Sequence, residues 1–172
     1  MTAPALLGMA VAIGLLFGSE AAGKYPILIW NASPSLPIGL YRATRQPPRR
    51  ADRVLVRLPP RLAALAARRG YLARSAYLIK PVAATAGDRV CRVGSHISVR
   101  GRLAARAKAC DRSGRAMPTW HGCHRLREGE VFLLAADPDS FDGRYFGVVS
   151  QGAVAARAVL VWSSAGGTSK GL

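Results

Sequence analysis

Apolar positions along this chain fall in short clusters separated by turn residues, not in long helical stripes. Residues 25–30 read as a short apolar strand. Residues 31–37 crowd Asn, Ser and Pro into a turn-rich loop, and Gly39-Leu40-Tyr41 resumes an extended path. A basic, Pro-containing connector over 46–53 leads into the strand Val54-Leu55-Val56. Pro59-Pro60 opens a helix running to about Arg69, with Leu62, Leu65 and Ala66 on one face and Gly70 as its stop. Residues 76–82 are apolar and strand-like, interrupted by Lys80. Residues 89–99 alternate in places as a half-buried strand would, with turns at Gly94-Ser95 and Gly101-Arg102. Residues 103–119 are basic, rich in small residues and weakly patterned, as in an exposed insertion. Strands are predicted over 130–136, 145–149 and 153–162, with a loop over 140–144 and a loose Gly/Ser tail after 163. No internal repeat is visible. One helix among many short strands predicts a mainly β fold.

The amino terminus breaks this pattern. Residues 3–18 are continuously apolar or small and are ended by Ser19, Glu20 and Lys24. The run is longer than a usual secretory core of ~7–15 residues and shorter than the ~20 of a spanning helix. Residues 1–23 therefore read as a membrane anchor or a cleavable export segment, with Ser19-Glu20-Ala21 as a small-x-small cleavage candidate. A buried core helix is the competing assignment. Either export reading places the rest of the chain outside the cytoplasm.

Composition adds a bound and a question. The 172 residues suit one domain with a real core, and 50% hydrophobic content excludes a disordered basic tail. Lys and Arg total 25 against nine Asp and Glu, a net charge of +16. That charge suits an anionic partner, either headgroups or nucleic acid, but it is spread along the chain and selects neither. Three Cys cannot build a disulfide framework, though two can pair. Cys91 ends a strand-like run and Cys123 lies in Trp120-His121-Gly122-Cys123-His124, which makes Cys91–Cys123 the favoured pair. The rival is a zinc site from Cys110, His121, Cys123 and His124, whose spacing departs from the usual two-residue gaps.

Two groups carry candidate chemistry. Lys80 sits in Tyr77-Leu78-Ile79-Lys80-Pro81-Val82, where its ammonium must either snorkel to the surface or lose its solvent. A desolvated Lys drops its pKa and becomes a general base near neutral pH, which Arg cannot do. Only Lys24, Lys80, Lys108 and Lys170 are lysines, so a Lys inside an apolar strand stands out. Ser33-Pro34-Ser35-Leu36-Pro37 sets two hydroxyls in a loop stiffened by two prolines. A serine nucleophile needs a base, and Lys serves in place of His. Gly87-Asp88 follows the Lys strand as a tight turn, and Ser140-Phe141-Asp142-Gly143-Arg144-Tyr145-Phe146-Gly147 gathers a hydroxyl, a carboxylate and a guanidinium.

The order of these segments resembles the type I signal peptidases, and most closely their conjugal-transfer, TraF-type branch. The elements are a hydrophobic start, Ser-x-Ser-x-Pro-x-Gly-x-Tyr, apolar-Lys with a following Gly-Asp, and Ser-Phe-Asp-x-Arg-Tyr-Phe-Gly. The resemblance covers roughly residues 30–162. It implies that Ser35 is the nucleophile and Lys80 the general base. Ser33 and the Ser35 N–H would form the oxyanion hole, and Ser140 would orient the Lys amine. Asp142 and Arg144 would hold that loop, and Pro37, Gly39 and Tyr41 would shape the substrate groove. There are departures. Pro34 follows Ser33, Leu36 replaces a usual Met, and Gly143 stands where Ser is frequent. Pro81 follows Lys80 and removes a ladder donor, which predicts an edge or bulged strand.

The resemblance further implies a signal-peptidase/LexA-like antiparallel β fold in a catalytic domain over 24–163, followed by a flexible tail over 164–172. The short stretch between Lys80 and Ser140 implies a small β insertion at about 91–127. No metal and no cofactor is implied. The expected partners are a protein substrate, either a pilin precursor or another signal-bearing protein, and inner-membrane lipids. A monomer anchored in the inner membrane with its domain in the periplasm follows, and no nucleic-acid partner is expected. Some relatives join the new end to make a cyclic pilin. Two other readings stand beside this one: LexA-like self-cleavage, and a non-catalytic basic envelope or nucleic-acid-binding component of a transfer apparatus.

Overall fold

The computed structural model describes residues 27–164. The apolar segment over 1–23 and the tail over 165–172 lie outside the described residues. Among the described residues no helix is long and apolar enough to cross a membrane.

Among the described residues eleven strands form two antiparallel sheets. The larger is built from β1 (Leu28–Asn31), β2 (Gly39–Thr44), β3 (Arg53–Val56), β4 (Leu78–Ala84), β9 (Glu130–Leu133), β10 (Val148–Ser150) and β11 (Val154–Ser163). Its spatial order is β1-β2-β11-β3-β4-β9-β10. The last strand is thus threaded between the second and third. It manages two partners by register shifts, one between Val154 and Ala156 against β3 and one between Leu160 and Trp162 against β2. Val54, Leu55 and Val56 are fully buried, which explains why β3 is a continuous apolar run and not an alternating one. Gly39 is required by close approach, because a Cβ there would lie 2.0 Å from the Trp162 carbonyl oxygen.

The smaller sheet holds β5 (Arg89–Val93), β6 (His96–Val99), β7 (Arg102–Arg106) and β8 (Gly122–Arg125) in the order β7-β6-β5-β8. The alternating segment over 89–99 is therefore a hairpin of two strands, turning at Gly94-Ser95. The patternless basic stretch begins with β7, which pairs with β6. The sheets share a core in which Ala84 and Phe132 pack with Val90, Ile97, Val99 and Leu126.

Helix α1 (Pro60–Arg68) starts with Pro in its first turn. It ends on Gly70, whose φ of 72° lets the Gly70 N–H reach Ala67 O and the Tyr71 N–H reach Ala66 O. Its Leu62, Leu65 and Ala66 pack with Phe141 and Tyr145. One expectation needs correction. Tyr145 and Phe146 are not in a strand but in a one-turn helix, α2 (Gly143–Phe146), capped by Asp142. Strand β4 is interior, and of the edge or bulge expected at Pro81 it carries the register shift, between Val82 and Ala84. Pro81 is tolerated there because its carbonyl still accepts from the Leu134 N–H, and its missing donor falls beside the register shift between Val82 and Ala84.

Candidate active site

The loop between β1 and β2 carries the two serines. Asn31, only 8% exposed, shapes it from within. Its Nδ2 donates to the carbonyls of Ser33 (2.9 Å), Pro37 (3.1 Å) and Leu36 (3.3 Å), and its Oδ1 accepts from the Ser33 N–H at 3.2 Å. One amide thereby satisfies four backbone groups that a tight loop cannot pair with itself. Tyr41 OH donates to Pro37 O at 2.8 Å and anchors the other flank. Ser33 Oγ and Ser35 Oγ lie 3.0 Å apart, and the Ser35 N–H points to Ser33 Oγ at 3.4 Å.

Lys80 projects from β4 into this loop and is 2% exposed. Its Nζ lies 2.6 Å from Ser35 Oγ and 2.7 Å from Ser140 Oγ. Burial pushes its pKa down from the ordinary lysine value to about 8. Asp142 and Asp137 pull it partly back up, and Arg144 adds to the fall. A Lys in this state gives up its proton near neutral pH and accepts one from a hydroxyl in contact with it.

Ser140 is held by the segment that follows it. Arg144 Nε donates to Asp142 Oδ1 at 2.8 Å, and Arg144 NH2 donates to Asp142 Oδ2 at 3.1 Å and to Ala135 O at 2.6 Å. Asp142 Oδ2 also accepts from the Ala135 N–H, and both side chains are almost fully buried. A buried ion pair with its remaining lone pairs and donors satisfied fixes geometry more than it adds stability. Gly143 belongs here for space, since a Cβ would lie 2.5 Å from Leu133 O.

A groove of about 1090 Å³ opens onto Ser35 and Lys80. Ile29, Trp30, Tyr77 and Ile79 line it near the serines, and Lys108, Arg112 and Asp139 lie among its other lining residues. Pro37, Gly39 and Tyr41 do not line it. Tyr41 is fully buried and braces the loop through its bond to Pro37 O, while Pro37 itself is exposed. Away from the groove, Cys91 and Cys123 are joined as a disulfide across β5 and β8, and Cys110 is free and exposed. His124 pairs with Glu130 at 2.7 Å. Among the described residues no three His, Cys, Asp or Glu gather as a metal-holding group. Sequence reasoning missed Asn31 as a site residue. Its only outward sign is an Asn opening a Ser/Pro loop.

Residues 2–163 match the family model for signal peptidase, peptidase S26. Two plasmid transfer proteins TraF from Escherichia coli are 35% and 32% identical, over 77% and 88% of this chain and 82% and 90% of theirs. A probable conjugal transfer protein TraF from Sinorhizobium fredii is 35% identical over 85% of this chain and 82% of its own. A solved signal peptidase I from Enterococcus faecalis is similar at a TM-score of 0.39 and 18% identity, covering 66% of this chain and 98% of that one.

Proposed function

The chain belongs to the peptidase S26 family of signal peptidases, in its TraF branch, and from that premise we propose that it is a serine endopeptidase with Ser35 as nucleophile and Lys80 as general base. The observation that carries the proposal is the 2.6 Å contact between a buried amine and Ser35 Oγ. Neutral Lys80 takes the Ser35 hydroxyl proton as Oγ attacks the scissile carbonyl carbon. The oxygen of that carbonyl gains the negative charge and is met by the Ser35 N–H and the Ser33 hydroxyl. When the C–N bond breaks, the Lys80 ammonium returns its proton to the departing amine. Water then attacks the ester, again with Lys80 as base, to release the new carboxylate and free Ser35. An amine of the substrate in place of water would join chains instead.

The substrate is proposed to be a pilin precursor or another exported protein of a conjugative type IV secretion system. The relatives' names support the transfer context. The catalytic domain is placed in the periplasm at the inner membrane. Trp30 and Trp162 support this, since they stack with centroids 5.8 Å apart on an exposed apolar face that also carries Leu28. The test is co-expression with the pilin precursor. Ser35→Ala and Lys80→Met are each expected to abolish processing while the chain stays folded. Full processing by either variant would falsify the dyad, and a precursor left intact by the wild type would remove the substrate.

A further inference from the structure

The structure assigns to the four-stranded insertion a working part in the active site: Arg92 and Trp120 are positioning residues that hold Ser140 against Lys80. This inference rests on the Ser35–Lys80 reading above and extends it to a part of the chain that contributes no group to the chemistry.

The argument begins with α2. A four-residue helix cannot stabilise itself, because nearly all its carbonyls lack an intrahelical partner. Gly143 O receives the Gly147 N–H at 2.9 Å. The insertion supplies further donors. Trp120 Nε1 donates to Gly143 O at 2.9 Å, and Arg92 NH1 donates to Arg144 O. Arg92 is itself 7% exposed and pinned by its Nε to Gly94 O at 3.1 Å. The Lys108 N–H adds a contact to Tyr145 OH at 3.2 Å.

These donors converge on the segment that ends at the base. Asp142 caps α2 and Arg144 lies within it, and this pair fixes Ala135 through its N–H and its carbonyl. Ser140 stands two residues before the cap, with its Oγ 2.7 Å from Lys80 Nζ. Trp120 also packs edge-on against Phe132, a neighbour of β4 in the sheet, at 6.1 Å between centroids. The Cys91–Cys123 bridge ties β5 to β8, one position from Arg92 and three from Trp120. Removing the Arg92 guanidinium takes the donor from the Arg144 carbonyl, and removing the Trp120 N–H leaves Gly143 O with the Gly147 N–H alone; α2 then shifts or admits water to restore the lost bonds. Water at α2 reaches the Ser140 side of Lys80 and relieves the burial that keeps its pKa low.

The experiment uses the full chain with 13Cε-lysine, in which four lysine signals are present, together with a synthetic peptide bearing an Ala-x-Ala cleavage sequence. Trp120→Phe keeps the packing and deletes only the N–H; Arg92→Met keeps the stem and deletes the guanidinium. Both are expected to raise the Lys80 titration midpoint and to lower kcat about tenfold with KM within twofold. Trp120→Phe is expected to add nothing further in a Ser140→Ala background, as two residues acting through one contact should behave. An unmoved Lys80 titration in both variants overturns the inference, whatever happens to their melting temperatures. So does a Trp120→Phe effect that persists in full with Ser140→Ala. If Ser35→Ala retains activity, the dyad fails instead; the Lys80 titration still decides the positioning role separately.

Discussion

Asn31 and Pro37 are bound to each other across the β1–β2 loop, Asn31 Nδ2 donating to Pro37 O at 3.1 Å with Ser35 between them. The same nitrogen serves the Ser33 and Leu36 carbonyls. An aspartate there would present a carboxylate to three carbonyl oxygens. Asn31→Asp is therefore expected to lower kcat about 10–100-fold, the loss of one to two buried hydrogen bonds, with KM little changed. Steady-state kinetics on the purified variant checks this. An unchanged kcat would mean that the loop holds its shape without Asn31.

The pH profile follows from Lys80. Its folded pKa of about 8 means that the reactive neutral amine is scarce at pH 6 and dominant at pH 9. The rate is expected to rise about tenfold per pH unit below 8 and to level above it. A rate–pH curve that is flat from 6 to 9 would contradict a lysine base.

Stability runs by the same linkage. Between about pH 8 and the ordinary lysine value, the unfolded chain holds a proton that the folded chain lacks, so stability rises with pH through that window. Below it, the whole cost of burying the ammonium is present. Lys80→Met removes that cost, and the variant is expected to be inactive yet more stable at pH 7. The gain is roughly 2 kcal/mol, after allowing for the lost hydrogen bonds to Ser35 and Ser140. Denaturant melts of the two proteins at pH 7 and pH 10 provide the check, with the gap narrowing at the higher pH.

Breaking the buried pair beneath Ser140 has the opposite sign. Arg144→Met strands the Asp142 carboxylate, which is fully buried. The expected destabilisation is about 3–5 kcal/mol, with activity lost even where the fold survives in the cold. A melting temperature within a degree of the wild type would show that Asp142 finds another partner.

Replacing Cys91 and Cys123 together by Ser is expected to cost about 2–4 kcal/mol, since the bridge closes a separation of 32 residues. Wild type treated with reductant should fall to the same melting temperature. A wild type indifferent to reductant would mean that the bridge does not form in solution.

What could be read from the chain beforehand depended on how local its cause was. Ser33, Ser35 and Lys80 stood out because a Pro-stiffened hydroxyl pair and a lone Lys in an apolar strand are visible within a few residues. Asn31, Arg92 and Trp120 did not, because their meaning lies in carbonyls that the fold brings to them, 23 residues away for Trp120 and 52 for Arg92. Tyr145-Phe146 read as strand because a single helical turn is too short to show a period. Pro81 predicted an edge or a bulge because a missing donor is a local fact, whereas the choice of the bulge arises from the pairing with β9.

The position of β11 decides how Ser35 and Lys80 are held in one sheet. Ser35 lies between β1 and β2, and Lys80 lies on β4 beside β3; among the described residues these two halves of the sheet are hydrogen-bonded through β11, which pairs with β2 on one side and β3 on the other. Beside β11, the two halves are linked by side-chain packing, in which Leu36 and Tyr41 share a cluster with Leu55 and Ile79. Under the proposed reaction, the alignment of Ser35 with Lys80 therefore depends on the register of a strand that carries neither group.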